Sequence, residues 1–198
     1  MLNGLNMAMQ TIRTMNGTYS VCALSGLMAA GLAAAAEVFQ FRWTSTTKAA
    51  ILRHLHFHAA VNTTGFTAGN AIFSSVLARS FSAAGSGGGT LTMTGNNGKL
   101  MTAMATSAVG EIRVATTAAL GAGTKTLDDN PFGTIVTGVG TAAGQDIIQL
   151  HDLAPAEHPD GHPILLMANE GIVIVATVPA TGTWKFGVEI CWEEGELR

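Results

Sequence analysis

The C-terminal stretch 183–193 alternates apolar and polar side chains, and this period of two constrains the chain more than any other feature. Trp184, Phe186, Val188, Ile190 and Trp192 fall on one side; Lys185, Glu189, Cys191 and Glu193 fall on the other. Successive side chains of a strand point to opposite faces, so the pattern describes a half-buried antiparallel strand with one face on a core. The same rhythm recurs upstream. In 38–43, Phe39, Phe41 and Trp43 share a face. In 49–61, Ile51, Leu55, Phe57, Ala59 and Val61 share one, with Arg53 as the exception, and His54, His56 and His58 take the other. Further candidate strands, not all of them counted as strands, lie over 70–81, 90–94, 110–115, 133–139, 146–150, 163–167 and 171–178.

Turn chemistry separates these runs. Asn62-Thr63-Thr64-Gly65, Ser86-Gly87-Gly88-Gly89 and Pro179-Ala180-Thr181-Gly182 read as turns or loops, and Gly95-Asn96-Asn97-Gly98 is the strongest hairpin signal. No long helical pattern follows residue 36. The reading is an all-β protein, a jelly-roll or β-sandwich of eight to nine antiparallel strands over residues 37–198. Residues 1–36 differ in texture. Met1, Met7, Met9, Met15 and Met28 lie there among Ala and Gly, almost without charge, which predicts an N-terminal arm or short helix that docks on its own body or on a neighbour.

Composition narrows the function. The 198 residues suit one domain plus an arm. Only 12% are charged, against about 25% in an ordinary soluble domain. A net charge of −3 makes no field for phosphate, so nucleic acid is not expected as a partner. The longest apolar run, 21–36, is shorter than the roughly 20 residues of a membrane helix, and the leader before it is not basic. No membrane partner is expected, and synthesis and folding in a cytoplasm are. Cys22 and Cys191 read as two buried small hydrophobes rather than a disulfide framework.

Several clusters invite chemistry. His54, His56 and His58 stand about 6.6 Å apart along one strand face, close enough for neighbouring imidazoles to share an ion. A His-x-His strand in a small β-fold resembles a cupin metal site, but Ala59, Ala60, Val61 and Asn62 stand where that pattern places its Glu. The three His therefore read as a polar strand face at the surface or at a subunit contact, which would make such a contact pH-sensitive. His151, Asp152, Glu157, His158, Asp160 and His162 crowd a segment containing Pro155, Pro159 and Pro163, and read as a solvated loop. Asp128-Asp129-Asn130-Pro131 lacks the spacing of a calcium loop and reads as a turn. Gly85-Ser86-Gly87 has no strand-to-helix context for a nucleophile. Gly138–Gly144 misses dinucleotide spacing, and Gly123-Thr124-Lys125-Thr126 misses the phosphate-loop spacing. Phe39, Phe41, Trp43, Trp184, Phe186 and Trp192 alternate like core residues rather than a sugar platform. No catalytic, cofactor-binding or metal-ligating residue is assigned, and no cofactor is expected. An enzyme of cupin type would use His54, His56 and His162.

Both faces of 171–178 are apolar, Ile172, Ile174 and Ala176 on one side and Val173 and Val175 on the other. Each needs a cover: the chain's own core for one, a neighbouring subunit for the other. A chain so poor in charge is expected to assemble, and closed rings such as a trimer are the common outcome.

Three landmarks carry a resemblance over residues 25–194. They are Ser25-Gly26-Leu27-Met28-Ala29-Ala30-Gly31-Leu32 leading into Glu37-Val38-Phe39-Gln40-Phe41-Arg42-Trp43; Gly95-Asn96-Asn97-Gly98-Lys99-Leu100 with 112–120; and 169–178 followed by Pro179-Ala180-Thr181-Gly182-Thr183-Trp184. In these the chain resembles β-rich structural proteins of tailed bacteriophages and prophages. The resemblance implies a non-enzymatic virion protein, a capsid cement or decoration protein. It would act as a homo-oligomer, with a trimer favoured, seated on the major capsid protein; a head-fibre, tail or baseplate module is the alternative. It carries no functional residue to this sequence.

Overall fold

The computed structural model describes residues 15–32, 34–144, 146–154 and 163–197, with 15–16 and 148–154 described by their backbone alone. Among these residues there are thirteen strands and no helix: β1 (Met15–Leu24), β2 (Met28–Ala29), β3 (Ala36–Trp43), β4 (Lys48–Val61), β5 (Gly69–Ala83), β6 (Gly89–Leu91), β7 (Val109–Val114), β8 (Thr124–Leu127), β9 (Gly133–Val139), β10 (Asp146–Ala154), β11 (Leu165–Leu166), β12 (Glu170–Thr177) and β13 (Thr183–Glu196). They form two antiparallel sheets packed as a β-sandwich. The first runs β1-β13-β4-β10, with β11 on β4 and β2 on β13; the second runs β6-β7-β3-β12-β5-β8, with β9 on β5. The all-β sandwich expected from alternation is what forms.

The inner row of β13 sits in the core as its pattern requires. Trp184, Phe186, Val188, Ile190 and Trp192 are buried, and so are Phe39, Phe41 and Trp43 of β3. Rings from opposite sheets interlock. Phe41 meets Trp192 edge-on at 5.1 Å, and Phe73 packs against Phe57 at 4.8 Å and Trp184 at 5.5 Å. Each such pair adds about 0.5–1.5 kcal/mol beyond its buried area.

Four local expectations change. Residues 15–24 are a strand, not an arm or helix, and residues 1–14 lie outside the described residues. β1 pairs with β13 along most of its length and buries Tyr19 and Ala23, with Tyr19 stacked on its register partner Trp192 at 5.5 Å. An available strand edge and a core-facing aromatic override the helical propensity of Ala and Met. With β2 and β8, β1 raises the strand count above the eight or nine expected.

The second change is a bulge in β4. Cys191 pairs with His54 while Trp192 pairs with Leu52, so Arg53 is the extra residue. Leu52 and Ala50 therefore enter the main core in place of Ile51, because one inserted residue flips every side chain beyond it. Third, Gly95–Gly98 does turn, with positive φ at both glycines. It does not join a hairpin: β6 pairs with β7, and Lys99 bridges back to Tyr19 of β1. Fourth, Val173 and Val175 are covered by the chain itself. They cluster with Val76, Ala78 and Phe81, and Leu127 of β8 packs on them.

Candidate metal-binding face

The two sheets treat their outward faces differently, and the chemistry gathers on the first. At the centre of that sheet β4 and β13 run antiparallel in a register that sets Cys191 against His54, Glu189 against His56 and Gly187 against His58. On the far side of β13, Cys22 of β1 stands opposite Glu189 and Ser20 opposite Cys191. Inner positions of these strands are filled by core residues, so the alternate positions carry their polar groups outward.

His54 and His56 stack with ring centroids 4.5 Å apart and an interplanar angle of 10°. Both turn to one carboxylate: His54 Nε2 is 3.4 Å from Glu189 Oε1, and His56 Nδ1 is 3.5 Å from Glu189 Oε2. These three residues offer ligand atoms that all lie within 4.8 Å of one another. His54 Nε2 is shielded from solvent yet has no hydrogen-bond partner.

The third histidine does not join them. A Cβ on Gly187 would stand 2.0 Å from His58 Cε1, so the His58 ring lies over the bare backbone of that glycine. It borders instead a shallow concavity with Leu24, Ser25, Ala60, Lys185 and Phe186. The glycine thus splits the expected row of three into a pair and a separate ring.

The cysteines also part ways. Both are free; Cys191 is buried as expected, but Cys22 is exposed, because β1 turns it outward from the edge of the sheet. Burial pushes the Cys22 thiol up from its ordinary pKa, and the nearby Glu189 charge adds to this. Burial likewise raises Cys191, helped by Glu193 and Glu189 and opposed by Arg53. Arg53 itself, placed by the bulge, pairs with Glu193.

The second histidine-rich cluster is described only through the backbone of β10. There His151 pairs with Phe57 and Asp152 with His56; Glu157, His158, Asp160 and His162 lie outside the described residues.

Asp128, read as a turn residue, is an ion-pair partner: Arg79 Nη2 meets its Oδ2 at 3.1 Å, while Arg79 Nη1 meets Glu170 Oε1 at 2.6 Å. The two carboxylates hold Arg79 above its ordinary pKa. They also satisfy the charge of the guanidinium beside a surface cleft of about 580 Å³ lined by Ser80, Ser82, Thr124 and Asn169.

Sequence reasoning missed Glu189 as the group that organises the pair. Its outward position in β13 is legible from alternation. Its meeting with His56, 133 positions away, comes only from the register of β13 on β4.

No protein-family model and no curated protein matches this chain.

Proposed function

We propose that this protein is a non-enzymatic structural component of a tailed-bacteriophage virion: a capsid cement or decoration protein that assembles with copies of itself, as a trimer, and binds the major capsid protein shell. The mechanism is contact area. Each apolar contact removed from water contributes roughly 25 cal/mol per Å², so modest surfaces repeated over a lattice stabilise it strongly.

The observation that carries this reading is the edge formed by β9. Its sequence, Gly133-Thr-Ile-Val-Thr-Gly-Val139, contains no charge and no proline; among the described strands its only ladder partner is β5, and β10 lies beside it, where Thr137 Oγ1 donates to the Ile147 carbonyl at 3.3 Å. Proteins that stay alone guard such edges with lysine, proline or a covering segment. Here the outward Val136 is 60% exposed, and its register partner Ile72 is 36% exposed. A neutral edge strand with an apolar pair beside it suits strand-to-strand pairing with a second copy. The low charge content and the resemblance carried by the three sequence landmarks point the same way.

Quantitative mass spectrometry of purified particles tests the proposal. A copy number comparable with that of the shell protein is expected. A copy number far below it moves the protein to the tail or fibre, and absence from particles overturns the reading. At the level of assembly, Val136→Lys on β9 is expected to convert the oligomer to monomer in light scattering.

A further inference from the structure

We propose that His54, His56 and Glu189 form a binding site for a divalent transition ion of the zinc class, with three protein ligands and a fourth position open to solvent. The inference is independent of the virion reading.

The geometry argues it first. Around a four-coordinate zinc ion with bonds of about 2.0–2.2 Å, neighbouring ligand atoms sit roughly 3.3–3.5 Å apart. His54 Nε2 reaches Glu189 Oε1 at 3.4 Å and His56 Nδ1 reaches the other oxygen, Oε2, at 3.5 Å, and one ligand atom from each of the three residues lies within 4.8 Å of the others, close enough for small side-chain turns to bring all three onto one ion. Both His–Glu189 contacts are poor as hydrogen bonds, since a good N–H···O contact is about 2.9–3.0 Å. The carboxylate thus faces both imidazoles through long contacts that an ion between them can replace.

The second argument is chemical. Two imidazoles and a carboxylate are a donor set that suits zinc and its neighbours and is disfavoured by calcium or magnesium, which take oxygen alone. The two rings are stacked with an interplanar angle of 10°, and turning about χ2 brings their in-plane lone pairs together on one ion.

The third argument is the Nε2 of His54, which is shielded from solvent and makes no hydrogen bond, its one contact being the long approach to Glu189 Oε1. A shielded polar atom without a partner is uncommon and calls for one. The ion supplies it.

The support around the site is rigid. His54 and His56 belong to β4, and Glu189 to β13, the two central strands of the first sheet. Ligands on paired strands hold their spacing better than ligands on loops. Glycine at 187 keeps His58 flat and out of the set.

Titration of the full-length protein with Zn²⁺ against a chromophoric chelator, with Co²⁺ as a spectroscopic substitute, tests the site. Wild type is expected to bind one equivalent through this face and to give the intense visible absorption of four-coordinate Co²⁺. His54→Gln, His56→Gln and Glu189→Gln should each weaken binding about tenfold or more, the scale on which even supporting groups act. His58→Gln should leave it unchanged. So should the triple variant His151→Gln/His158→Gln/His162→Gln, apart from any weaker second equivalent. Near-ultraviolet circular dichroism of each metal-free variant checks that the fold is intact. Three results overturn the proposal: no stoichiometric binding by wild type, no effect of Glu189→Gln, or loss of binding that follows His58 or the triple variant instead.

Discussion

The outward faces of the two sheets diverge at alternate positions of two neighbouring C-terminal strands. On β12 the outward residues are Val173 and Val175; on β13 they are Lys185, Glu189, Cys191 and Glu193. The first set cannot face water, and side chains from neighbouring strands of the same sheet and its loops cover it. Leu127 packs on the cluster of Val76, Ala78, Phe81, Val173 and Val175. Lys125 lies 4.7 Å above the Phe81 ring, and its ammonium pairs with Glu37 at 2.8 Å. Gln40 completes the seal, accepting from the Gly85 amide and donating to the Gly121 carbonyl and to Glu37. In the second set only Cys191 is buried; Lys185, Glu189 and Glu193 need no apolar cover, and the first sheet leaves its histidines and Glu189 at least partly exposed. A few side chains on alternate positions thus decide whether a sheet face becomes a second core or stays open as a ligand surface.

The largest expected break in this contrast comes from Phe81→Ala. Phe81 is fully buried in the second cluster, and emptying that space should cost about 3–5 kcal/mol in urea unfolding. A loss under about 1 kcal/mol would mean that this second cluster adds little to the fold. Lys125→Ala comes next. It leaves the Glu37 carboxylate buried without its cation, which should cost about 3 kcal/mol, while the double variant Lys125→Met/Glu37→Met should recover part of the loss.

A third test reads the main core beneath the first sheet. Tyr19 is the chain's only tyrosine. Burial, helped by the Glu194 charge, pushes its pKa from 10 up to about 12. The folded state then holds the phenolic proton more tightly than the unfolded chain does. The associated stability is complete below pH 10, declines as pH rises, and is gone above about pH 12. Phenolate absorbance of the native protein should have its midpoint near the upper value, and a midpoint near 10 would place Tyr19 in solvent. The smallest effect belongs to the open face. His58→Ala should change stability by no more than about 0.5 kcal/mol, because His58 is exposed and rests on Gly187. A large loss there would erase the contrast with Phe81.

Some of this was legible before any fold was known. The inner rows of β3 and β13 and the two apolar faces of β12 follow from alternation alone, and the structure places each as read. The fate of Arg53 was half legible: a charge in an apolar row marks a break, but only the pairing with β13 shows that the break is a bulge that sends Leu52 inward. β1 was legible and went unread: Tyr19, Val21 and Ala23 alternate with Thr18, Ser20 and Cys22, but the Met- and Ala-rich segment around them hid that short period. Glu194 was missed too. It continues the inner row of β13 past Trp192 and is fully buried, with Ser107 and the Ala108 amide donating to one oxygen and Lys48 to the other. A carboxylate in an inner row is readable as an exception, but its partners are far away in sequence.

The chain's own alternation determined that this protein is a β-sandwich and which side chains of β3 and β13 line its core, because a strand's two faces are defined residue by residue. The tertiary structure decided what meets across strands. The register of β13 on β4 brings Glu189 to His54 and His56, the glycine at 187 removes His58, and β8 closes over Val173 and Val175. Strand partners come from distant parts of the sequence, and their register is settled by the packing of the whole sandwich. No local pattern encodes those meetings, so the candidate metal site emerges only once the sheets are assembled.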